Sequence, residues 1–172
     1  MASAPRRRVI PALRPRRVPE GQPYHVLLVS SSGGHLAQLL QLRPWWSANE
    51  RTWVCFDTAD ALDALAGERL VLAHHPTTRN VGNLLRNLVL AVGTLRRIRP
   101  DVIVSDGAGV AVPFFWLSRI YGARTAYIEV YDRLDSATMT GRLVAAVTDL
   151  MLVQWEGQLA SYPGATVAGP LY

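Results

Sequence analysis

The 172-residue sequence predicts an α/β fold built on a doubly wound parallel sheet. Short apolar runs rich in β-branched residues alternate along the chain with segments of helical spacing. Within the runs the apolar residues are continuous, which is typical of parallel strands covered on both faces. The length suits one domain with a full core. No apolar run reaches the roughly 18 to 20 residues that a membrane span needs.

Seven strands and five helices are predicted in alternation. The strands are expected at 25–30 (HVLLVS), 52–56 (TWVCF), 69–73 (RLVLA), 102–105 (VIVS), 125–129 (TAYIE), 150–154 (LMLVQ) and 165–168 (ATVA). The helices are expected at 36–47, 60–66, 81–98, 109–121 and about 136–147. Ligands of such sheets bind where the strands end, so the loops at 30–35, 105–109 and 129–131 are the places to look for a site.

The amino terminus carries the excess charge. Six arginines and one acid precede Pro23, and this difference equals the net charge of +5 of the whole chain. We predict a disordered, Pro/Arg-rich basic arm at 1–22 and one domain at 23–172. The arm could hold an anionic membrane surface or nucleic acid, or have no partner. A mitochondrial presequence has a similar bias, but the prolines would interrupt its helix.

The domain itself excludes several functions. Its charge is balanced and it has no motif of interleaved aromatic and basic residues, so nucleic acid is not an expected partner. Cys55 lies alone in a predicted buried strand and offers neither a disulfide nor a metal site. The sequence implies no metal and no cofactor.

The loop at 31–35 (SSGGH) joins the first strand to the first helix. Glycines let the backbone approach a ligand, and hydroxyls and free amides donate hydrogen bonds, which suits a phosphate or a diphosphate. A plain tight turn explains the glycine pair equally well. A dinucleotide site with Asp57 on a ribose lacks its glycine fingerprint, and a hydrolase with Ser105 and His35 lacks the G-x-S-x-G elbow.

Four segments carry a family resemblance. In order they are SSSGGH, RPDVIVSDGAGVAVPF, TAYIEVYDRLDSATMTGRLVAAVTDLMLVQW and YPGATVAGPLY. Together they resemble the acceptor-side subunits of split, MurG-like glycosyltransferases. These include PssD-type subunits of bacterial exopolysaccharide synthesis and the membrane-anchor subunit of the eukaryotic enzyme that adds the second N-acetylglucosamine to dolichol diphosphate. The resemblance implies a Rossmann-like domain equivalent to the N-terminal half of a GT-B glycosyltransferase, with its donor-binding half on a separate chain.

The resemblance also implies roles for residues in the loops. Residues expected to bind the acceptor or its diphosphate are Ser31, Ser32, Gly33, Gly34, Asp106, Gly107, Gly109, Thr140 and Gly141. Residues expected at the partner interface are Gln154, Trp155, Leu171 and Tyr172. The sequence departs from the family pattern at Asp106, Ala108 and Val130. The family's amino-terminal membrane anchor is not seen, and the sequence stops where a one-piece enzyme would pass into its donor domain.

An inverting sugar transfer needs a base for the acceptor hydroxyl. His35 is the first candidate because an imidazole titrates near neutrality, and Glu129, at a strand end, is the second. His35 could instead only bind the turn at the start of its helix. His74 and His75 have no carboxylate or cysteine at a metal-ligand spacing, and we interpret them as loop residues near the rim of the site.

The segment at 79–99 contains five arginines and no acid. Its apolar stripe is Val81, Leu84, Leu85, Leu88, Val92 and Leu95. We expect this stripe to face the core and the basic side to meet solvent or anionic lipid.

These observations predict a subunit of a two-component glycosyltransferase. It would transfer N-acetylglucosamine, or another hexose or uronic acid, from a nucleotide sugar to a polyprenyl-diphosphate-linked saccharide. The expected partners are a donor-binding subunit, this acceptor and an anionic membrane surface on the cytoplasmic face, with no transmembrane helix. The alternatives are a noncatalytic scaffold that recruits a partner to the membrane and a stand-alone nucleotide-binding protein.

Overall fold

The computed structural model describes residues 8–13, 17–77 and 79–171, which contain one parallel sheet. Its strands are β1 (His25–Val29), β2 (Glu50–Cys55), β3 (Leu70–Leu72), β4 (Val102–Ser105), β5 (Arg124–Ile128), β6 (Leu150–Val153) and β7 (Thr166–Val167). Their order is β3-β2-β1-β4-β5-β6-β7. The order reverses between β1 and β4, where a doubly wound sheet opens a crevice. The predicted fold class is confirmed.

Helices cover both faces of the sheet. They are α1 (Gly34–Leu40), α2 (Arg43–Trp46), α3 (Ala59–Ala64), α4 (Val81–Ile98), α5 (Ala111–Tyr121) and α6 (Met139–Val144), with 3-10 helices at Ala145–Val147 and Glu156–Ala160. The single helix predicted at 36–47 is wrong, because Pro44 lies in the first turn of α2. Proline has no N–H to continue the ladder of α1. No helix of the described residues is long and apolar enough to cross a membrane.

Both faces of the central strands are buried, which accounts for their continuous apolar sequences. Leu27 packs with Phe114 and Phe115 in one core cluster, and the adjacent Leu28 packs with Trp53 in the other. Leu28 is paired in register with Trp53 of β2 and with Val104 of β4. Neighbouring strand residues therefore alternate between two cores, one on each side of the sheet.

The expectation for α4 is wrong in its orientation. Val81 and Leu85 of its apolar stripe are 68% and 57% exposed. The buried face instead carries Asn83, Asn87, Ala91, Thr94 and Leu95. The two asparagines are buried because their amides bind the backbone of the loop before the helix. As a result an apolar helix face is left at the surface.

Part of the predicted basic arm lies against the domain. The amide of Ile10 donates to the carbonyl of Ala146 at 2.8 Å, and the amide of Leu13 donates to that of Arg119 at 2.8 Å. The Arg119 guanidinium binds the carbonyl of Ile10 at 3.0 Å and the Asp149 carboxylate at 2.7 Å. Residues 1–7 and 14–16 of the arm lie outside the described residues, and the boundary at residue 22 stays a prediction.

Candidate active site

A cavity of about 1010 Å³ opens at the carboxyl edge of the sheet. Its walls come from the loops that follow β1 to β5 and from the first turns of α4 and α6. Of the residues predicted to act in the site, those that line the cavity are Ser31, Ser32, His35, Gly107, Gly109 and Thr140. Two of the three predicted loops, 30–35 and 105–109, therefore meet at the cavity together with the start of α6, whereas no residue of 129–131 lines it.

A histidine and a carboxylate form the polar centre of this cavity. His35 follows β1, and Asp106 follows the adjacent strand β4, so the parallel register brings them together. His35 Nδ1 lies 3.2 Å from Asp106 Oδ2. The Asp106 side chain is fully buried, whereas that of His35 is 32% exposed and lines the cavity. Since Asp106 occupies Nδ1, Nε2 is the nitrogen left for a ligand.

This geometry corrects the role predicted for Asp106. A fully buried carboxylate behind the imidazole does not reach a diphosphate in the cavity, and its charge would repel one. Asp106 instead orients His35 and selects the tautomer with the proton on Nδ1 when the ring is neutral.

The pair holds a proton more tightly than its members would in water. Burial alone lowers the pKa of His35, but the hydrogen bond and charge of Asp106, with a smaller contribution from Asp132, raise it overall above the ordinary 6.5. Burial raises the pKa of Asp106 to about 6, against the opposing effect of His35. The carboxylate therefore increases the basicity of the ring that faces the cavity.

Gly107 lets the loop after β4 pass close to the imidazole. It has φ 137, and a β-carbon there would lie 2.8 Å from His35 Cε1. Ser105 Oγ accepts from the Gly107 amide and donates to the Gly107 carbonyl, both at 3.1 Å. The Ser105 hydroxyl is thus used within its own turn, which gives no support to the hydrolase alternative.

The glycine pair after β1 lies outside the cavity lining. Gly33 and Gly34 are exposed, and a β-carbon on either one would meet no described atom within 4 Å. The Gly33 amide already donates to the Asp60 carboxylate at 3.1 Å. Only Ser31 and Ser32 of this loop, with His35, face the cavity. The structure gives these two glycines no contact with the site.

The position of Glu129 does not suit a general base. It is 0% exposed and does not line the cavity. Oε2 accepts from the Thr138 amide at 3.1 Å, from Thr138 Oγ1 at 3.2 Å and from the Tyr162 hydroxyl, while Oε1 accepts from the Val130 amide at 3.0 Å. Both oxygens accept hydrogen bonds inside the fold and the side chain is buried away from the cavity, so no acceptor hydroxyl reaches it. Glu129 instead fixes the start of α6.

The start of α6 forms the lip of the cavity. Thr138 caps the helix by accepting from the Gly141 amide at 3.1 Å, and Thr138, Met139 and Thr140 line the cavity. Gly141 is buried beneath them, and a β-carbon there would lie 2.8 Å from Glu129 Oε2. Gly141 therefore permits close packing on Glu129 and does not contact a ligand directly.

The predicted partner interface is only partly at the surface. Gln154 is 2% exposed, and its side chain donates to the Glu129 carbonyl at 2.8 Å and accepts from the Leu171 amide at 3.0 Å. Its burial corrects the expectation that this side chain meets a partner. Trp155 and Leu171 are half-buried, and Trp155 Nε1 donates to the Tyr131 carbonyl at 2.6 Å. Tyr172 lies outside the described residues.

Sequence reasoning placed His75 at the rim of the site but missed its carboxylate partner and Arg79 beside it. His75 lines the cavity, and its Nε2 lies 2.7 Å from Asp57 Oδ1. Asp57 therefore binds this histidine, which gives no support to the alternative in which it binds a ribose. The His75 ring also packs on Phe56, with centroids 5.1 Å apart. Arg79 lines the same wall. A helix-start signal at Asn80 was the available clue, because its side chain accepts from the Asn83 amide and so fixes where α4 begins.

Comparison with known proteins agrees with this architecture. Residues 26–171 match the family described as "Oligosaccharide biosynthesis protein Alg14 like". A human relative, UDP-N-acetylglucosamine transferase subunit ALG14, is 22% identical over 94% of this chain and 89% of its own length. The protein of the same name from Eremothecium gossypii is 28% identical over 88% of this chain and 81% of its own length.

The structure is also similar to that of a solved glycosyltransferase. The crystal structure of MurG from Acinetobacter baumannii matches with a TM-score of 0.65 and 17% identity over 78% of this chain. This chain spans 43% of that MurG chain, less than half of it. The likeness shows the Rossmann-like α/β fold, and the resemblance to split, MurG-like subunits is confirmed. Because the family match covers most of its length, the chain belongs to the Alg14-like family of oligosaccharide biosynthesis proteins.

Proposed function

We propose that this chain is the acceptor-binding subunit of a two-part transferase that moves N-acetylglucosamine from its uridine diphosphate to a polyprenyl-diphosphate-linked saccharide. The observation that carries the proposal is the His35–Asp106 pair, which directs a basic nitrogen into a large cavity. Relatives named as subunits of UDP-N-acetylglucosamine transferase support the sugar and the reaction. A cavity of about 1010 Å³ has room for a diphosphate and the adjoining sugar.

The pair would act as a general base. As the acceptor hydroxyl attacks the anomeric carbon, its proton passes to His35 Nε2, the bond from that carbon to the phosphate oxygen breaks, and uridine diphosphate leaves. Asp106 is a positioning residue, because it touches the imidazole and not the substrate. Its buried charge stabilises the imidazolium that forms.

A donor-binding subunit would supply the nucleotide sugar. The names of the relatives, which call each one a subunit, support this arrangement. The surface near Trp155, Tyr131 and Leu171 is our candidate for docking, since Tyr131 is exposed and the other two are half-buried.

The test of this function is transfer of labelled N-acetylglucosamine to a prenyl-diphosphate-linked N-acetylglucosamine. We expect no product from the chain alone and product when a donor-binding subunit is added. Other uridine diphosphate sugars serve as competitors, and preference for a hexose or uronic acid would move the proposal toward exopolysaccharide synthesis. Equal transfer with His35→Ala would leave the chain as a noncatalytic scaffold.

The exposed face of α4 is our candidate for contact with the membrane that holds the acceptor. Its apolar residues begin at the cavity, where Val81 and Leu84 form part of the lining, and continue along the helix through Leu85 and Val89. Arginines on the same helix would meet anionic headgroups. This arrangement describes peripheral association at the surface of the bilayer.

Replacing Leu85 and Val89 together by Asn should weaken binding to phosphatidylcholine–phosphatidylserine vesicles by about tenfold or more, because apolar area no longer leaves water. Vesicle sedimentation measures this. Both residues are exposed, so thermal stability should not change. Leu62→Asn on α3 is the matched control, since Leu62 is also exposed but lies on another helix. Unchanged binding of the double variant would exclude this face.

A further inference from the structure

One wall of the cavity carries a histidine and an arginine that have no part in the proposed proton transfer. It consists of His75 and Arg79, which belong to the loop between β3 and α4 and line the cavity. We call these two residues the cationic wall.

Buried amides of α4 hold residues 74–76 of this loop in place. Asn87 accepts from the His74 amide and donates to the His74 carbonyl, both at 2.8 Å. Asn83 donates to the Pro76 carbonyl at 2.9 Å. Asparagine is costly to bury without partners, so the two side chains are satisfied only when the loop has this conformation. The cationic wall is therefore a built feature of the site.

The wall offers two kinds of nitrogen group. Asp57 occupies His75 Nε2 at 2.7 Å, which leaves Nδ1 for a ligand, and the ring is supported by Phe56. Arg79 is exposed and forms no ion pair with any residue of the described ranges. A guanidinium binds phosphate oxygens, and a protonated His75 would donate from both ring nitrogens, one to Asp57 and one to a phosphate oxygen.

The glycine loop after β1 is less suited to a diphosphate. The Gly33 amide donates to Asp60, whose carboxylate is ionised at neutral pH, and neither Gly33 nor Gly34 lines the cavity. A diphosphate placed there would compete with the Asp60 carboxylate for the Gly33 amide, and the charge of that carboxylate would repel it.

We infer that His75 and Arg79 bind the diphosphate of the lipid-linked acceptor. This inference rests on the proposed function and names the subsite of its substrate. The acceptor sugar then lies toward His35, which lines the same cavity. The prenyl chain leaves along the apolar face of α4, which starts at Val81, two residues after Arg79.

Binding of farnesyl diphosphate to the full chain tests the assignment, with farnesol as the uncharged probe. We expect His75→Gln and Arg79→Gln each to raise the Kd for farnesyl diphosphate by about tenfold, because each removes a hydrogen bond to the diphosphate. Farnesol binding should not change. His74→Gln is the control within the same loop, and Arg97→Gln removes an equal charge from the far end of α4. Both controls should bind as the wild type does, and all variants should have the wild-type Tm.

Three results would overturn the assignment. The first is wild-type affinity in His75→Gln and Arg79→Gln, or no saturable binding by the wild type. The second is an equal loss in Gly34→Ala, which would place the diphosphate on the glycine loop. The third is weaker binding of the two variants to phosphatidylserine vesicles with unchanged farnesyl diphosphate binding, which would assign the wall to lipid headgroups.

The proposed function fails separately. Diphosphate binding at the wall, without sugar transfer by any donor-binding subunit, would refute the function and leave the inference standing. Transfer with an unaltered KM for the acceptor in His75→Gln and Arg79→Gln would refute the inference and leave the proposed function standing.

Discussion

Asp106 and Glu129 follow neighbouring parallel strands, β4 and β5, and both are fully buried, yet they have different tasks. Asp106 meets the imidazole of His35, which faces the cavity. Glu129 does not line the cavity, and it meets the amide and hydroxyl of Thr138 and the hydroxyl of Tyr162, which hold the start of α6 in place. A carboxylate at the end of a strand therefore takes its role from the donors that the next loops bring to it.

The partners of Asp106 and Glu129 differ in whether they can gain or lose a proton near neutral pH. An imidazole next to Asp106 can gain and lose a proton near neutral pH, so this pair is able to perform acid–base chemistry. Burial and the nearby Glu129 charge raise the pKa of Tyr127, and burial followed by the hydrogen bond to Glu129 raises the pKa of Tyr162. These hydroxyls stay protonated and serve as fixed donors. The tyrosines around Glu129 therefore keep their protons, whereas the Asp106 pair can change its charge.

Removing the imidazole of His35 is the strongest test of the difference between Asp106 and Glu129. His35→Ala should lower kcat for sugar transfer by about two to four powers of ten, because the acceptor hydroxyl loses its base. Its fold should remain, since the His35 side chain is partly exposed. His74→Ala is the matched control and should transfer at the wild-type rate. A loss below about threefold in His35→Ala would end the assignment of the base.

The second test changes Glu129 without changing its size. In Glu129→Gln, whichever way the amide is turned, its NH₂ faces at least one N–H or O–H donor, so a buried donor stays unpaired. We expect the free energy of unfolding to fall by about 2 kcal/mol. Urea unfolding measures it, and Tyr162→Phe, which removes one donor, should cost about 1 kcal/mol. Wild-type stability with lost transfer would return the base role to Glu129.

Much of the architecture could be predicted because local patterns determine it. Continuous apolar runs predict all seven strands, and the expected bounds of α4 agree with the structure. The orientation of α4 could not be predicted from hydrophobicity. Asn83 and Asn87 are buried for the hydrogen bonds they make to a loop, and an apolar stripe alone does not reveal which face those bonds require.

The position of the candidate site could be predicted better than the roles of its residues. His35 and Gly107 line the candidate cavity, as expected from the rule that loops at the carboxyl edge meet. Asp106 was expected to bind the ligand and Glu129 to be a candidate base. Their roles depend on which side chains lie behind the cavity wall. That is set by contacts distant in sequence, such as His35 with Asp106 and Glu129 with Tyr162. The Asp57–His75 pair was missed for the same reason.

The most direct test of the central claim is the dependence of kcat/KM for the acceptor on pH, measured with the donor-binding subunit present. The neutral imidazole is the base, so activity should rise with pH as His35 loses its proton, and Asp106 should place this rise above pH 6.5. In Asp106→Asn the carboxylate is lost and burial remains, so the rise should move to lower pH and the maximal rate should fall. Glu129→Gln should keep the wild-type position of the rise. The same position in wild type and Asp106→Asn would contradict the claim that this pair is the base.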